Sequence, residues 1–246
     1  MRENTYFRGL LCILARSCKL KQQYRGLTGP RKFMAKIVPG ILTNIESEYH
    51  RRLLIAEYVA DLIQIDVVDG KFAKNITVGC EIIKKYPSSS LLEIQLMVKR
   101  PKNYIDMLAP LEYISKIIVP FEIEDVTSEI YRVRRHNKQV GLSLNPTTAI
   151  TSAIALFGDI DLLLLMTARP GFSGQKLGAS TYERIRQTKK IDSSMPVEID
   201  IGVNFDNAKK LAEAGADFLV ASSTLYGASD FAVAYEKLDK LANLRT

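Results

Sequence analysis

Along the chain, short runs of β-branched and aliphatic residues alternate with longer stretches in which apolar positions recur every three or four residues. The runs are Lys36–Leu42, Leu62–Val67, Leu91–Met97, Ile114–Val119, Gln139–Leu144, Asp161–Met166, Val197–Asp200 and Asp217–Ala221. A run apolar on both faces suits a strand covered from two sides, and the intervening periodicity suits amphipathic helices. Ile45–Ala60 is predicted helical with Asn44 as its N-cap, and a further helix is predicted from near Asn204 to a stop at Gly215. Eight strands alternating with helices at a spacing of about 25 residues predict an α/β fold, a single (β/α)8 barrel, with a doubly wound open sheet as the alternative. In such a barrel the working residues sit at the carboxyl ends of the strands and in the loops that follow.

Composition adds little to this picture until it is divided by region. The 246 residues are 47% hydrophobic and 25% charged, with a formal charge of +7. All of that charge lies in residues 1–33, where eight basic residues accompany one acid, Glu3, whereas 34–246 holds 26 basic and 26 acidic residues. A neutral body offers no broad footprint for polyanions, so nucleic acid is not an expected partner and any anion should be small and held locally. No run approaches the ~18 apolar residues of a spanning helix, so no membrane association is expected. Cys12 and Cys18 lie in the first segment and Cys80 in the body, without disulfide or zinc spacing, which suits a reducing compartment such as the cytoplasm. Residues 1–33 are expected to stand outside the working domain, 34–246, as an unstructured tail or as sequence upstream of Met34. An organelle transit peptide is the alternative, since the stretch is Arg-rich and acid-poor.

The polar residues at the predicted strand tips are the candidate chemistry. Side chains alternate along a strand, so Gln64 and Asp66 share the inward face of strand two, and Glu198 and Asp200 that of strand seven. Gln95 and Met97 repeat the spacing on strand three. Opposed carboxylates at 66 and 200 would take a proton from one face of a substrate carbon and return one to the other. The same residues would also serve as a buried polar network filling the upper barrel, and spacing alone does not separate the two. After strand six, Gly171-Phe172-Ser173-Gly174-Gln175 forms a Gly-rich loop, followed by Gly202 after strand seven and Ser222-Ser223 after strand eight. Backbone amides approach an anion closely in such loops, and barrels commonly bind phosphate in these late ones.

Taken together, the motifs over 36–242 resemble those of the ribulose-phosphate 3-epimerases. The family's P-S-I-L-S resembles Pro39-Gly40-Ile41-Leu42-Thr43, and its H-x-D-x-M-D-G resembles Gln64 to Gly70, continued by Phe72, Asn75, Ile76 and Thr77. Its H-L-M resembles Gln95-Leu96-Met97, and its L-N-P-x-T resembles Leu144 to Thr148. Its L-L-M-x-x-x-P-G-F-G-G-Q resembles Leu164 to Gln175, with Ser173 in place of a glycine. Its V-D-G-G-V and V-A-G-S resemble Ile199 to Val203 and Val220 to Ser223. The resemblance implies a barrel of the ribulose-phosphate-binding type that interconverts ketopentose 5-phosphates through an enediolate. It implies Asp66 and Asp200 as the acid/base pair, and substrate contacts from Gly40, Gln64, Gln95, Met97, Met166, Gly171, Phe172, Ser173, Gly174, Gln175, Gly202, Ser222 and Ser223. Barrels of the family often form oligomers, and no stretch of the sequence marks an interface.

The resemblance also implies a divalent metal on two histidines and two aspartates, and here the chain departs. Both histidine positions are glutamine, Gln64 and Gln95, while His50 and His136 fall in helical stretches away from the strand tips. Val68 replaces a methionine and Gly40 a serine. Imidazoles favour zinc-type ions, whereas amide and carboxylate oxygens are hard ligands. Three outcomes are open. Gln64, Asp66, Gln95 and Asp200 hold magnesium, manganese or calcium in preference to zinc; or the two amides donate to the enediolate with no metal; or the chain keeps only sugar-phosphate binding. An epimerase or isomerase of another phosphorylated sugar is the nearer alternative to the ketopentose reading.

Overall fold

The computed structural model describes residues 34–243, so the expectations about 1–33 and its two cysteines lie outside the described residues. Eight parallel strands run β1 Lys36–Ile41, β2 Leu62–Val68, β3 Leu91–Met97, β4 Ile114–Pro120, β5 Gln139–Leu144, β6 Leu162–Met166, β7 Val197–Asp200 and β8 Phe218–Ala221. They follow one another in spatial order and close on themselves through β1 and β8, in the register Lys36 to Phe218 and Val38 to Val220. The closed ring settles the choice against the open sheet.

Both faces of the strands are buried because each faces a different core. Outward side chains such as Ile37, Ile63, Ile94, Ile117, Ile199 and Leu219 pack with the helices, while Val38, Leu62, Leu91, Ile118, Leu164 and Phe218 fill the ring's interior. The alternation that puts Leu62 and Val68 inside also puts Gln64 and Asp66 inside. By the same rule Glu93 and Gln95 of β3, Lys116 of β4, and Glu198 and Asp200 of β7 face the interior.

The helices are shorter than the pattern predicts. The first, α1, runs Glu46–Glu57 with Ile45 in the cap position, so Asn44 is not its N-cap. Thr43 takes that part of the work instead, its Oγ1 accepting from the Ile45 amide at 3.1 Å. The helix expected from Asn204 begins only at Ala208, because Asn204 and Asn207 bond to each other across a turn, and it stops at Gly215 with φ +111° as expected. Between β5 and β6 the connection is a 3-10 segment, Ile150–Asp159.

Candidate active site

The carboxyl ends of the strands open into a narrow cleft lined by Asp66, Met97, Gly171, Phe172, Ser173, Gly174, Asp200, Gly202, Ser222 and Ser223. Ten residues singled out in the sequence are thus brought together. Leu42, Ile201, Val203 and Val220 complete the wall, and no polar signal in the sequence marked them. Gln64, Gln95 and Met166 lie immediately beneath, fully buried. Gly40 sits under the rim, where a Cβ would meet Val220 Cγ1 at 2.8 Å. Gln175 does not line the cleft: its Nε2 donates to the Arg169 and Phe172 carbonyls at 2.7 and 2.9 Å and so holds the loop after β6 in shape.

Short polar side chains fix the strand tips. Thr77 Oγ1 donates to the Asp66 carbonyl at 2.6 Å and accepts from the Val68 amide at 2.9 Å, pinning the end of β2. Thr167 Oγ1 donates to the Ile201 carbonyl at 2.7 Å and ties β6 to β7. Asn75 reaches across the mouth to the Gly171 carbonyl at 2.6 Å, joining the second loop to the sixth. Asp69 gathers the amides of Lys71, Phe72 and Lys99 at 2.8 to 2.9 Å. Ile201 stands at the first glycine of the V-D-G-G-V pattern yet adopts φ +77°, a left-handed turn that costs a β-branched residue about 1–2 kcal/mol. The turn lets the Ile201 amide hydrogen-bond the Asp200 carboxylate.

At the centre, four side chains from β2, β3 and β7 meet. Gln64 Nε2 donates to Asp66 Oδ1 and to Gln95 Oε1, both at 2.8 Å, and Gln95 Nε2 donates to Met166 Sδ at 2.9 Å. The two ends of the Gln95 amide are told apart only by their neighbours. Turned about, its nitrogen donates to Asp200 Oδ2 and Asp66 Oδ1, each at 3.0 Å. Burial, and then the facing Asp200, push Asp66 well above the ordinary carboxylate range. Burial also raises Asp200, to about 6, against the pull of the Ile201 amide and the Gln95 side chain. Two carboxyl groups raised in one cleft are able to share a single proton.

One level below, Lys116 Nζ lies 2.6 Å from Glu93 Oε2, 3.9 Å from Glu198 Oε2, and 5.0 Å from the Phe218 ring centroid. Burial, followed by the neighbouring Glu93, pushes Glu198 well above its ordinary range. Glu93 and Lys116 escaped the sequence reading, although each is a charge inside an apolar run at inward parity. His50 stacks on Tyr86 with ring centroids 4.2 Å apart, and His136 closes a helix beside Asp106, so neither approaches the mouth.

The family's divalent metal, held on two imidazoles and two carboxylates, does not fit a donor set in which both imidazoles are replaced by the carboxamides of Gln64 and Gln95. The position between the two aspartates, which a bridging cation needs, lies within 3.0 Å of both carboxylates and is filled by the Gln95 amide itself.

Residues 36–226 match the model of the ribulose-phosphate 3-epimerase family. The chain is 34% identical over 205 residues to a ribulose-phosphate 3-epimerase of Bacillus subtilis, covering 80% of this chain and 94% of that one. It is 32% identical over 224 residues to one of Methanocaldococcus jannaschii, covering 85% and 92%, and 30% identical over 209 residues to the cytoplasmic isoform of Oryza sativa, covering 80% and 89%. Among solved structures, the 3-hexulose-6-phosphate synthase of Salmonella typhimurium superposes with a TM-score of 0.63 at 16% identity, covering 84% of this chain and 98% of that one. A tryptophan synthase α-subunit of Pyrococcus furiosus gives 0.63 at 13%, covering 85% and 98%, and both share the barrel fold.

Proposed function

Since the chain belongs to the ribulose-phosphate 3-epimerase family and is an epimerase acting on a carbohydrate, we propose that it interconverts ribulose 5-phosphate and xylulose 5-phosphate, with Asp66 and Asp200 as the proton-transfer pair. The observation that carries this reading is that the two carboxyl groups, from strands on different sides of the ring, face one cleft and are both raised by burial. The ionised member takes the proton from C3 as the C3–H bond breaks, and the electron pair moves onto the neighbouring carbonyl oxygen to give an enediolate. The protonated member then returns a proton to the opposite face of C3 as the carbonyl re-forms. The chain ends the turnover with its proton on the other aspartate.

The phosphate is assigned to the far wall, where Gly171, Gly174 and Gly202 hold φ values of +90°, +76° and +79° and bring backbone close to a ligand, beside Ser222 and Ser223. Met97 covers the reacting carbons. Residues 34–246 are read as the whole catalytic unit, acting in the cytoplasm as the rice relative's printed name says of that protein.

The test is turnover of ribulose 5-phosphate in D2O followed by NMR. Wild type should yield xylulose 5-phosphate with deuterium at C3, and Asp66→Asn and Asp200→Asn should each lose at least about 100-fold in rate. Absence of product and of exchange would overturn the reading. One observation, the two missing imidazoles, favours a sugar-phosphate-binding protein instead, which predicts binding of the same compound without exchange.

A further inference from the structure

We infer that the Gln64–Gln95 carboxamide pair takes the place of a divalent cation in this centre, so that proton transfer between Asp66, substrate and Asp200 proceeds without a metal. The inference rests on the two-aspartate reading above and specifies how that site is held together. A cation bridging both carboxylates sits roughly 2.0–2.6 Å from each oxygen. The inward end of the Gln95 amide already occupies that place, 3.0 Å from Asp66 Oδ1, 3.0 Å from Asp200 Oδ2 and 2.8 Å from the Gln64 amide nitrogen. Gln64 and Gln95 are both 0% exposed, and the other end of the Gln95 amide is held on Met166 Sδ at 2.9 Å.

A carboxamide offers what a cation lacks, a donor and an acceptor that exchange places when the group turns over. In one arrangement Gln64 Nε2 donates to Asp66 Oδ1 and to Gln95 Oε1. The Gln95 oxygen then faces Asp200 Oδ2 and is matched when Asp200 carries the proton. In the other arrangement both amides are turned. With Gln95 alone turned, its nitrogen lies 3.0 Å from Asp200 Oδ2 and 2.8 Å from Gln64 Nε2; turning Gln64 as well would bring its oxygen to that place, to accept from Gln95 and from a protonated Asp66. These are the two hydrogen-bond patterns before and after a turnover in which the proton changes sides. The Gln64 Oε1 atom, buried and unpartnered in the first pattern, changes places with the nitrogen in the second.

The experiment uses the full chain and has two readouts. Zinc, manganese and magnesium are titrated calorimetrically into wild type and into the Gln64→His/Gln95→His double variant, and turnover is measured with and without EDTA. Wild type should bind none of the three ions at the centre and should turn over equally well in EDTA, while the double variant should gain at least about 100-fold in zinc affinity. Micromolar or tighter binding of any of the three ions by wild type that Asp66→Asn abolishes, or EDTA inhibition reversed by an added divalent ion, would overturn the inference and leave the epimerase reading intact. Failure of turnover under every condition would count against the epimerase reading, and the wild-type titration would still decide the inference. Gln95→Met, which keeps the shape and removes the donor, should lower kcat about 100- to 1,000-fold while substrate binding persists. An unchanged kcat would also overturn it, and if the double variant fails to fold, the wild-type titration and Gln95→Met remain decisive.

Discussion

Asp66 and Asp200 differ in how their environments treat them, and the difference sets the pH response. Asp200 moves from an ordinary 3.8 to about 6, because burial outweighs the Ile201 amide and Gln95, while Asp66 is raised well above its ordinary range by burial and then by the facing Asp200. A carboxyl group raised on folding stabilises the fold while both states are protonated, below about pH 4, and that contribution is lost as pH climbs through about 6. Activity runs the other way, since the base must be ionised. The kcat/KM profile should therefore rise through an apparent pKa near 6 and fall well above it as the dyad loses its second proton. A rising limb near pH 4 would show that the carboxyls are not raised. These aspartates were legible in the sequence because inward parity at a strand tip is a two-residue rule. The amide contact between Gln64 and Gln95, 31 residues apart, was not, since it depends on the β2–β3 register that pairs Asp66 with Gln95.

Strands were legible as elements because burial on both faces forces continuous apolar runs, and all eight appear within a residue or so of the pattern. Helix beginnings were less so, because they turn on single hydrogen bonds. Thr43 rather than Asn44 serves the start of α1, and the Asn204–Asn207 turn delays the helix that follows β7. The contact between β1 and β8 explains a substitution that the family pattern left unexplained. At Gly40 a Cβ would lie 2.8 Å from Val220 Cγ1, and Val220 is itself buried in the ring, so a serine has no space there. Gly40→Ser should lower stability by about 1–3 kcal/mol, and adding Val220→Ala should recover most of the loss. Urea unfolding followed by circular dichroism will check this. No shift in midpoint for the single variant would mean the strands part easily.

For the molecule as a whole, the ring's interior carries more acid than base. Four carboxyl groups, Asp66, Glu93, Glu198 and Asp200, face the interior, and the Lys116 ammonium lies 2.6 Å from Glu93 and 3.9 Å from Glu198. Lys116→Met would leave Glu93 buried without its cation and should cost about 3–5 kcal/mol, whereas replacing Lys116, Glu93 and Glu198 together by apolar residues of similar volume should cost much less. Thermal unfolding of the two variants distinguishes these outcomes; equal losses would show that the loss comes from packing and not from charge. The sequence concealed Glu93 and Lys116 because each reads as an isolated interruption of an apolar run, and only ring closure brings them around one centre with Glu198 of β7.

The Glu93–Lys116 pair also stands where the β3–β4 register shifts, immediately after Leu92, and the two residues are direct partners across the strands. Because side chains alternate sides with each residue, sliding β4 by one position would carry the ammonium out among the helices and leave the carboxylates alone inside. The ion pair therefore acts as a key to strand alignment: of the pairings that apolar β3 and β4 would tolerate, it admits the one that keeps Lys116 inside the ring beside Glu93.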